Sequence, residues 1–188
     1  DLPGCGDSDP LPEEHTVTAY TAWLERFRAA LGLERLVLTS VATGAPITIR
    51  YALAHPDRVT GLIFHLPMLG RGAVPWQARP LIAYALRVPP LRALVDTLRR
   101  TPGVLDRIIE TEPPNAVPEL AARDIAHKRQ GDLRAAGDLL HDLMLMDSRR
   151  ELARLRVPML FLAAEHDAYS PLSLLENLTR RRPERRAR

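Results

Sequence analysis

The stretch Leu36 to Pro46, LVLTSVATGAP, decides the fold. It is the point where an apolar run breaks into small residues and restarts as a helix. The preceding RLVLTS, Arg35 to Ser40, is a short leucine and β-branched run suited to a buried strand. The following GAPITIRYALAHPDR reads as a helix closed by Pro56, because proline removes a ladder donor and clashes with the preceding turn. Outward from there, Val17, Tyr20, Trp23, Leu24, Phe27, Ala30 and Leu31 recur at spacings of three, four and seven. Glu25, Arg26 and Arg28 lie opposite, which predicts an amphipathic helix with Gly32 as its C-cap. Downstream, VTGLIFHL, Val59 to Leu66, predicts a second buried strand. Strand, helix and strand without polar alternation predict a parallel βαβ unit covered on both faces.

From Pro67 to about Leu155 the pattern changes. Prolines punctuate the helical stretches PLRALVDTLRR, PELAARDIAHKR and DLRAAGDLLHDLMLM, and proline is tolerated at a helix start because that N–H has no partner anyway. The β pattern returns with VPMLFLAAEHD, Val157 to Asp167, followed by a helix beginning near Pro171. The expected organisation is an α/β layer over residues 1–66, a helical insertion over 67–155, and the α/β layer resumed over 156–188.

Composition bounds the function. The 188 residues are 46% hydrophobic, enough for a domain with a real core. No run of about twenty apolar residues is present, and DLPGCGDSDP has neither a basic nor an apolar leader region, so no membrane span or signal peptide is expected and the cytoplasm is the expected compartment. The single cysteine, Cys5, excludes an internal disulfide and a multi-cysteine metal site. Six of the last nine residues, RRRPERRAR, are Arg against one Glu, a charge of +5 in a chain of net +3; the remainder is about −2, which argues against a nucleic-acid face. With Asp at position 1 and its first methionine at Met68, the chain reads as part of a longer polypeptide.

A strand turning sharply into a helix presents its turn residue at the top of a sheet, and the first helical N–H groups face any negative charge that develops there. Acyl-transfer enzymes use this in G-x-S-x-G, where small flanking residues permit the turn and the central Ser is the nucleophile. Here the five positions are Ser40, Val41, Ala42, Thr43 and Gly44, so the flanks are small but the centre is a methyl group.

These residues, with their surroundings, make the chain resemble the α/β-hydrolase family, in particular its capped esterase, haloperoxidase and carbon–carbon hydrolase members. DLPGCGDSD resembles the loop after that family's fourth strand, YTAWLERFRAALGLERLVLTS the helix and fifth strand, RYALAHPDRVTGLIF the helix and sixth strand, and RLRVPMLFLAAEHDAYSP the seventh strand with its acid loop, G-x-x-D-x-x-x-P. The resemblance implies a partial α/β-hydrolase fold, with about three parallel strands in the order 5-6-7, flanking helices and a helical cap. It implies that Ala42 holds the nucleophile position, Asp167 the triad acid position and the Thr43 N–H one oxyanion position. Ala164 replaces the loop's usual glycine. The family's histidine and its first four strands fall outside the residues matched, leaving one edge of the sheet open to self-association.

Each candidate also has a bland reading. Asp167 could be a solvated loop carboxylate, and its neighbour His166 points elsewhere in most loops. His65, ending the second strand, reads first as a hydrogen-bonded structural histidine and second as a pocket residue. Ser40 occupies the first glycine of the motif, where smallness rather than chemistry is wanted. GCGDSD lacks the spacing of a phosphate loop. Trp76, Tyr84, Met144 and Met146 could line an apolar pocket but serve equally as cap core.

What the resemblance implies is an ancestral Ser-His-Asp hydrolase of a small apolar ester or related acyl compound. With Ala at position 42 and no histidine segment, the chain is expected to be inactive. The alternative is a non-catalytic ligand-binding or interaction protein on the same fold, and an engineered Ser→Ala trap or an Asp-nucleophile ancestor leaves the same alanine. A small apolar ligand is the expected partner, nucleic acid and membrane are not, and no cofactor or metal is implied.

Overall fold

Helix α1 (Val17–Ala30) begins where Thr16, in extended conformation, accepts the Ala19 N–H through its hydroxyl at 3.1 Å, and where the Asp142 carboxylate accepts the Val17 N–H at 2.7 Å. It is followed by strand β1 (Leu36–Val41), helix α2 (Gly44–Ala54) and strand β2 (Val59–His65). The computed structural model describes residues 1–74, 77, 79–80, 85–101, 103, 117, 126, 130–165, 167 and 170–180. Beyond a short 3-10 turn (Arg71–Ala73) these include helices α3 (Pro89–Arg100), α4 (Leu133–Leu145) and α5 (Ser148–Arg154), strand β3 (Met159–Leu162) and helix α6 (Leu172–Arg180).

The three strands form one parallel sheet in the order β1-β2-β3. Leu38, Leu62 and Met159 stand in one row across it and Ser40, Phe64 and Phe161 in the next; the Phe64 and Phe161 rings stack with centroids 5.1 Å apart. This face carries the core. Ala45, Ile49, Tyr51 and Ala52 of α2, Leu152 and Leu155 of and after α5, and Leu175 of α6 pack on it, with Leu24 of α1 against their rim. Burial of this kind contributes roughly 25 cal/mol per Å² of apolar area.

The expectation of cover on both faces is corrected by the other face. Val37 is 61% exposed, Val41 63% and Leu162 43%. Register puts Val37, Thr39 and Val41 beside Gly61, Ile63 and His65, and Leu160 and Leu162 beside those. The described helices that touch the core lie across the sheet from this row, so β1 alternates exposed and covered residues despite its apolar sequence. Helix α5 is a second departure, since SRRELAR lies between two apolar runs; the Asp147 carboxylate starts it by accepting the Arg149 N–H at 3.2 Å.

Contacts divide the chain into two units, Asp1–His15 with Gln77–Asp138, and Thr16–Trp76 with Leu139–Arg188. The second holds the whole sheet. The first joins the opening loop to the start of α4: the Asp132 N–H donates to the Gly4 carbonyl at 2.9 Å, and Gly4, at φ 79, lies so close that a Cβ there would sit 2.6 Å from that of Ala135. Much of PELAARDIAHKR and of RRRPERRAR, with Trp76, Tyr84 and His166, lies outside the described residues.

Candidate active site

The turn after β1 is held at both ends by backbone hydrogen bonds. Ala42 adopts φ 45, one of two non-glycine residues with positive φ among those described. Its N–H donates to the His65 carbonyl at 3.1 Å, while its carbonyl accepts from the Ala45 N–H at 3.2 Å and the Met68 N–H at 3.1 Å. Left-handed backbone disfavours side chains with a Cβ, and such strain persists where the surroundings over-determine it. Here the ends of β1 and β2 and the first turn of α2 all grip the same peptide.

The small residues around Ala42 have a steric cause. A Cβ on Gly44 would approach that of Ser40 to 3.3 Å, so any side chain there would press the end of β1 away from α2. Ser40 itself is buried, and the Thr48 hydroxyl lies 3.2 Å from its Oγ, behind the turn and on the core face. Its hydroxyl belongs to the packing of α2 on β1.

Thr43 follows at φ −67, ψ −12 as the N-cap of α2, with no side-chain capping bond. Its N–H donates to no acceptor among the described residues and stands with the other unpaired donors of the helix start.

Asp167 lies five residues past the end of β3, and its N–H donates to the Ala164 carbonyl at 3.4 Å. In a parallel sheet the carboxyl ends of all strands point the same way, so Ala42, Thr43 and Asp167 share one sheet edge, with β2 between them. His65, at the end of β2, places Nε2 3.1 Å from the Thr39 hydroxyl across the uncovered face.

Sequence reasoning missed a small cavity on this edge. It measures about 160 Å³ and is walled by Leu69 and Gly70 after β2, Arg149 of α5, and Pro171 and Leu174 after β3. Gly70, at φ 143, passes so close to the Met146 carbonyl that a Cβ would lie 2.7 Å from that oxygen. The flanking Ser148 and Ser170 are fully buried, and their hydroxyls find no partner among the described residues. The glycine was the one signal of this cavity in the sequence.

A family profile described as alpha/beta hydrolase fold matches residues 1–188. The chain belongs to the α/β-hydrolase fold family. Among solved α/β-hydrolase relatives it is similar to a hydrolase from Pseudomonas aeruginosa at 22% identity and TM-score 0.67, covering 95% of this chain and 64% of that one. A thermophilic esterase from Thermogutta terrifontis matches at 24% identity and TM-score 0.68, over 96% of this chain and 65% of that one. The enol-lactonase from Burkholderia xenovorans matches at 20% identity and TM-score 0.70, over 96% and 66%. Over 65 residues the chain is 34% identical to the proline iminopeptidase of Neisseria gonorrhoeae, 34% of this chain and 21% of that one. It thus spans just under two thirds of the solved relatives named here, and the aligned segment about a fifth of the curated one.

Proposed function

We propose that the chain descends from a serine-type α/β hydrolase of small, largely apolar esters or related acyl compounds, and that in its present form it carries out no triad hydrolysis. The observation that carries this reading is Ala42 at φ 45, held by hydrogen bonds at both its N–H and its carbonyl, directly before the unpaired Thr43 N–H. The turn keeps the strain that nucleophile turns carry while its side chain has no atom that can attack. In the ancestor a serine Oγ in place of the Ala42 methyl attacks the ester carbonyl, the Thr43 N–H takes part of the oxyanion charge, and Asp167 orients the histidine that removes the proton. The chemistry needs no metal or organic cofactor.

Removing a triad nucleophile lowers the rate by about 10⁶-fold, roughly 8 kcal/mol of transition-state stabilisation. The test is the Ala42→Ser variant of the full protein with p-nitrophenyl butyrate. Expected is no p-nitrophenol above background from the protein as it stands and a stoichiometric burst from the variant. A folded variant that binds the ester and releases nothing sinks the hydrolase ancestry.

The second reading is a non-catalytic ligand-binding or interaction protein, favoured by retention of the strained turn around a methyl group. It predicts saturable binding of an apolar ester analogue without turnover. The uncovered face with Val37 and Val41 on β1 and Leu162 on β3 gives this reading an apolar surface for self-association.

A further inference from the structure

A second cavity, of about 260 Å³, lies wholly within the unit that contains α3 and the start of α4. Its wall holds Arg92, Asp96, Arg99 and Arg100 of α3 with Asp132 and Arg134 at the head of α4, an excess of two positive charges.

The negative groups are already engaged. Asp96 Oδ1 accepts from Arg99 Nη2 at 2.6 Å, and its Oδ2 from Arg100 Nε at 2.9 Å. Asp132 Oδ1 accepts the Arg134 and Ala135 N–H groups at 2.6 and 3.1 Å, which caps α4. Arg134 leans on Asp138, outside the cavity, at 3.7 Å. Arg92 is half-buried and has no carboxylate within ion-pair distance among the described residues. An arginine that gives up part of its hydration without a counter-charge is unfavourable unless an anion completes it. Arg99, only 6% exposed, is fixed in the wall by Asp96, while the side chains of Arg100 and Arg134 are 60% and 40% exposed, so the cavity has one pre-set guanidinium and two that open to solvent.

We propose that this cavity binds a phosphate-type oxyanion, as free phosphate or as the phosphate monoester head of a larger molecule. Arg92 and Arg100 of α3 and Arg134 of α4 all line the cavity; Arg100 meets Asp96 and Arg134 meets Asp138 through Nε, which leaves the terminal guanidinium N–H groups of both for an anion. A tetrahedral dianion accepts from several forks at once, whereas a monocarboxylate is satisfied by one. The site is separate from the turn at Ala42 and independent of whether that turn ever catalysed.

The test is calorimetric titration of the full protein with inorganic phosphate, and separately with phenyl phosphate. Expected is one saturable site with a dissociation constant of roughly millimolar or tighter. Arg92→Ala weakens it by about ten-fold or more, Arg92→Lys, which keeps the charge but loses the fork, by less, and Arg58→Ala on the other unit leaves it unchanged. Circular dichroism of each variant separates lost binding from lost folding, and the lysine variant reports even if the alanine variant unfolds. Displacement of phosphate by phenyl phosphate assigns a monoester head, and failure to displace assigns free phosphate. No saturation, or equal weakening by Arg92→Ala and Arg58→Ala, overturns the proposal.

Discussion

An alanine held at φ 45 tells more about the turn than its side chain does. Left-handed backbone costs a residue with a Cβ roughly 1–2 kcal/mol, whereas glycine adopts it freely but loses more entropy on folding. The relieved strain is the larger of the two, so Ala42→Gly is expected to raise unfolding stability by up to about 1 kcal/mol in a urea titration. Ala42→Val is expected to cost at least about 1–2 kcal/mol, because a β-branched side chain is poorly tolerated there. Equal effects of the two would mean that the turn relaxes in solution. Gly70→Ala combines a positive φ with a 2.7 Å approach to the Met146 carbonyl, and is expected to cost about 2 kcal/mol or more. The turn was legible in the sequence because small residues stood between a strand pattern and a helix pattern. The cavity near Gly70 was not, since a lone glycine does not say which carbonyl passes it.

At the scale of elements, α1 and α2 are joined through Tyr51. The ring is fully buried and its hydroxyl donates to Glu25 Oε2 at 2.6 Å, while Arg28 grips the same carboxylate at 2.7 Å. Hydrogen bonds from Arg28 and then Tyr51 hold the Glu25 carboxyl down at about 2, and burial, then the Glu25 bond, pushes the Tyr51 phenol up to about 12. A depressed carboxyl gives stability that is present above its ordinary value near 4.5 and lost as pH falls through about 2. Tyr51→Phe is expected to cost about 1–2 kcal/mol at neutral pH and to flatten the pH dependence between roughly 4.5 and 2, read from thermal melts. An unchanged acid limb would show that Arg28 alone holds Glu25.

His15 works at the same scale in the other unit. It is fully buried, and its Nε2 accepts the Leu11 N–H at 2.9 Å, so that nitrogen carries no proton. Burial lowers its pKa from 6.5, against the pull of Asp132 and Asp138. The unfolded chain therefore takes up a proton below about pH 6.5 that the folded chain refuses, and stability falls as pH drops below that value. His15→Gln is expected to remove this slope from hydrogen-exchange protection of the N-terminal end of α4; persistence of the slope would assign it elsewhere. Most elements were legible within a residue or two, since α1 carries a clean periodicity, β1 and β2 are short apolar runs, and Pro56 closes α2. Helix α5 escaped because SRRELAR has too few apolar positions to mark a face, and only the capping Asp147 announces it.

For the molecule as a whole, the sheet is the decisive object. Apolar strand sequences predicted cover on both faces, yet the described helices against the core all occupy one. Sequence cannot report which face a helix chooses when both faces of a strand are apolar. If the chain self-associates through this face as proposed, Val37→Lys with Val41→Lys is expected to abolish that association in sedimentation while leaving monomer stability within about 0.5 kcal/mol. Association that survives both lysines would place the contact away from the β1 edge.

The same face has a calorimetric consequence. Heat capacity rises on unfolding in proportion to the apolar area newly wetted, about 12–15 cal/mol/K per residue in an ordinary domain. The exposed area of Val37, Val41 and Leu162 meets water before and after unfolding and adds nothing to that change. The heat-capacity increment of the monomer is therefore expected to fall below the norm for 188 residues. A smaller increment flattens the curve of free energy against temperature, so stability falls more gradually on cooling.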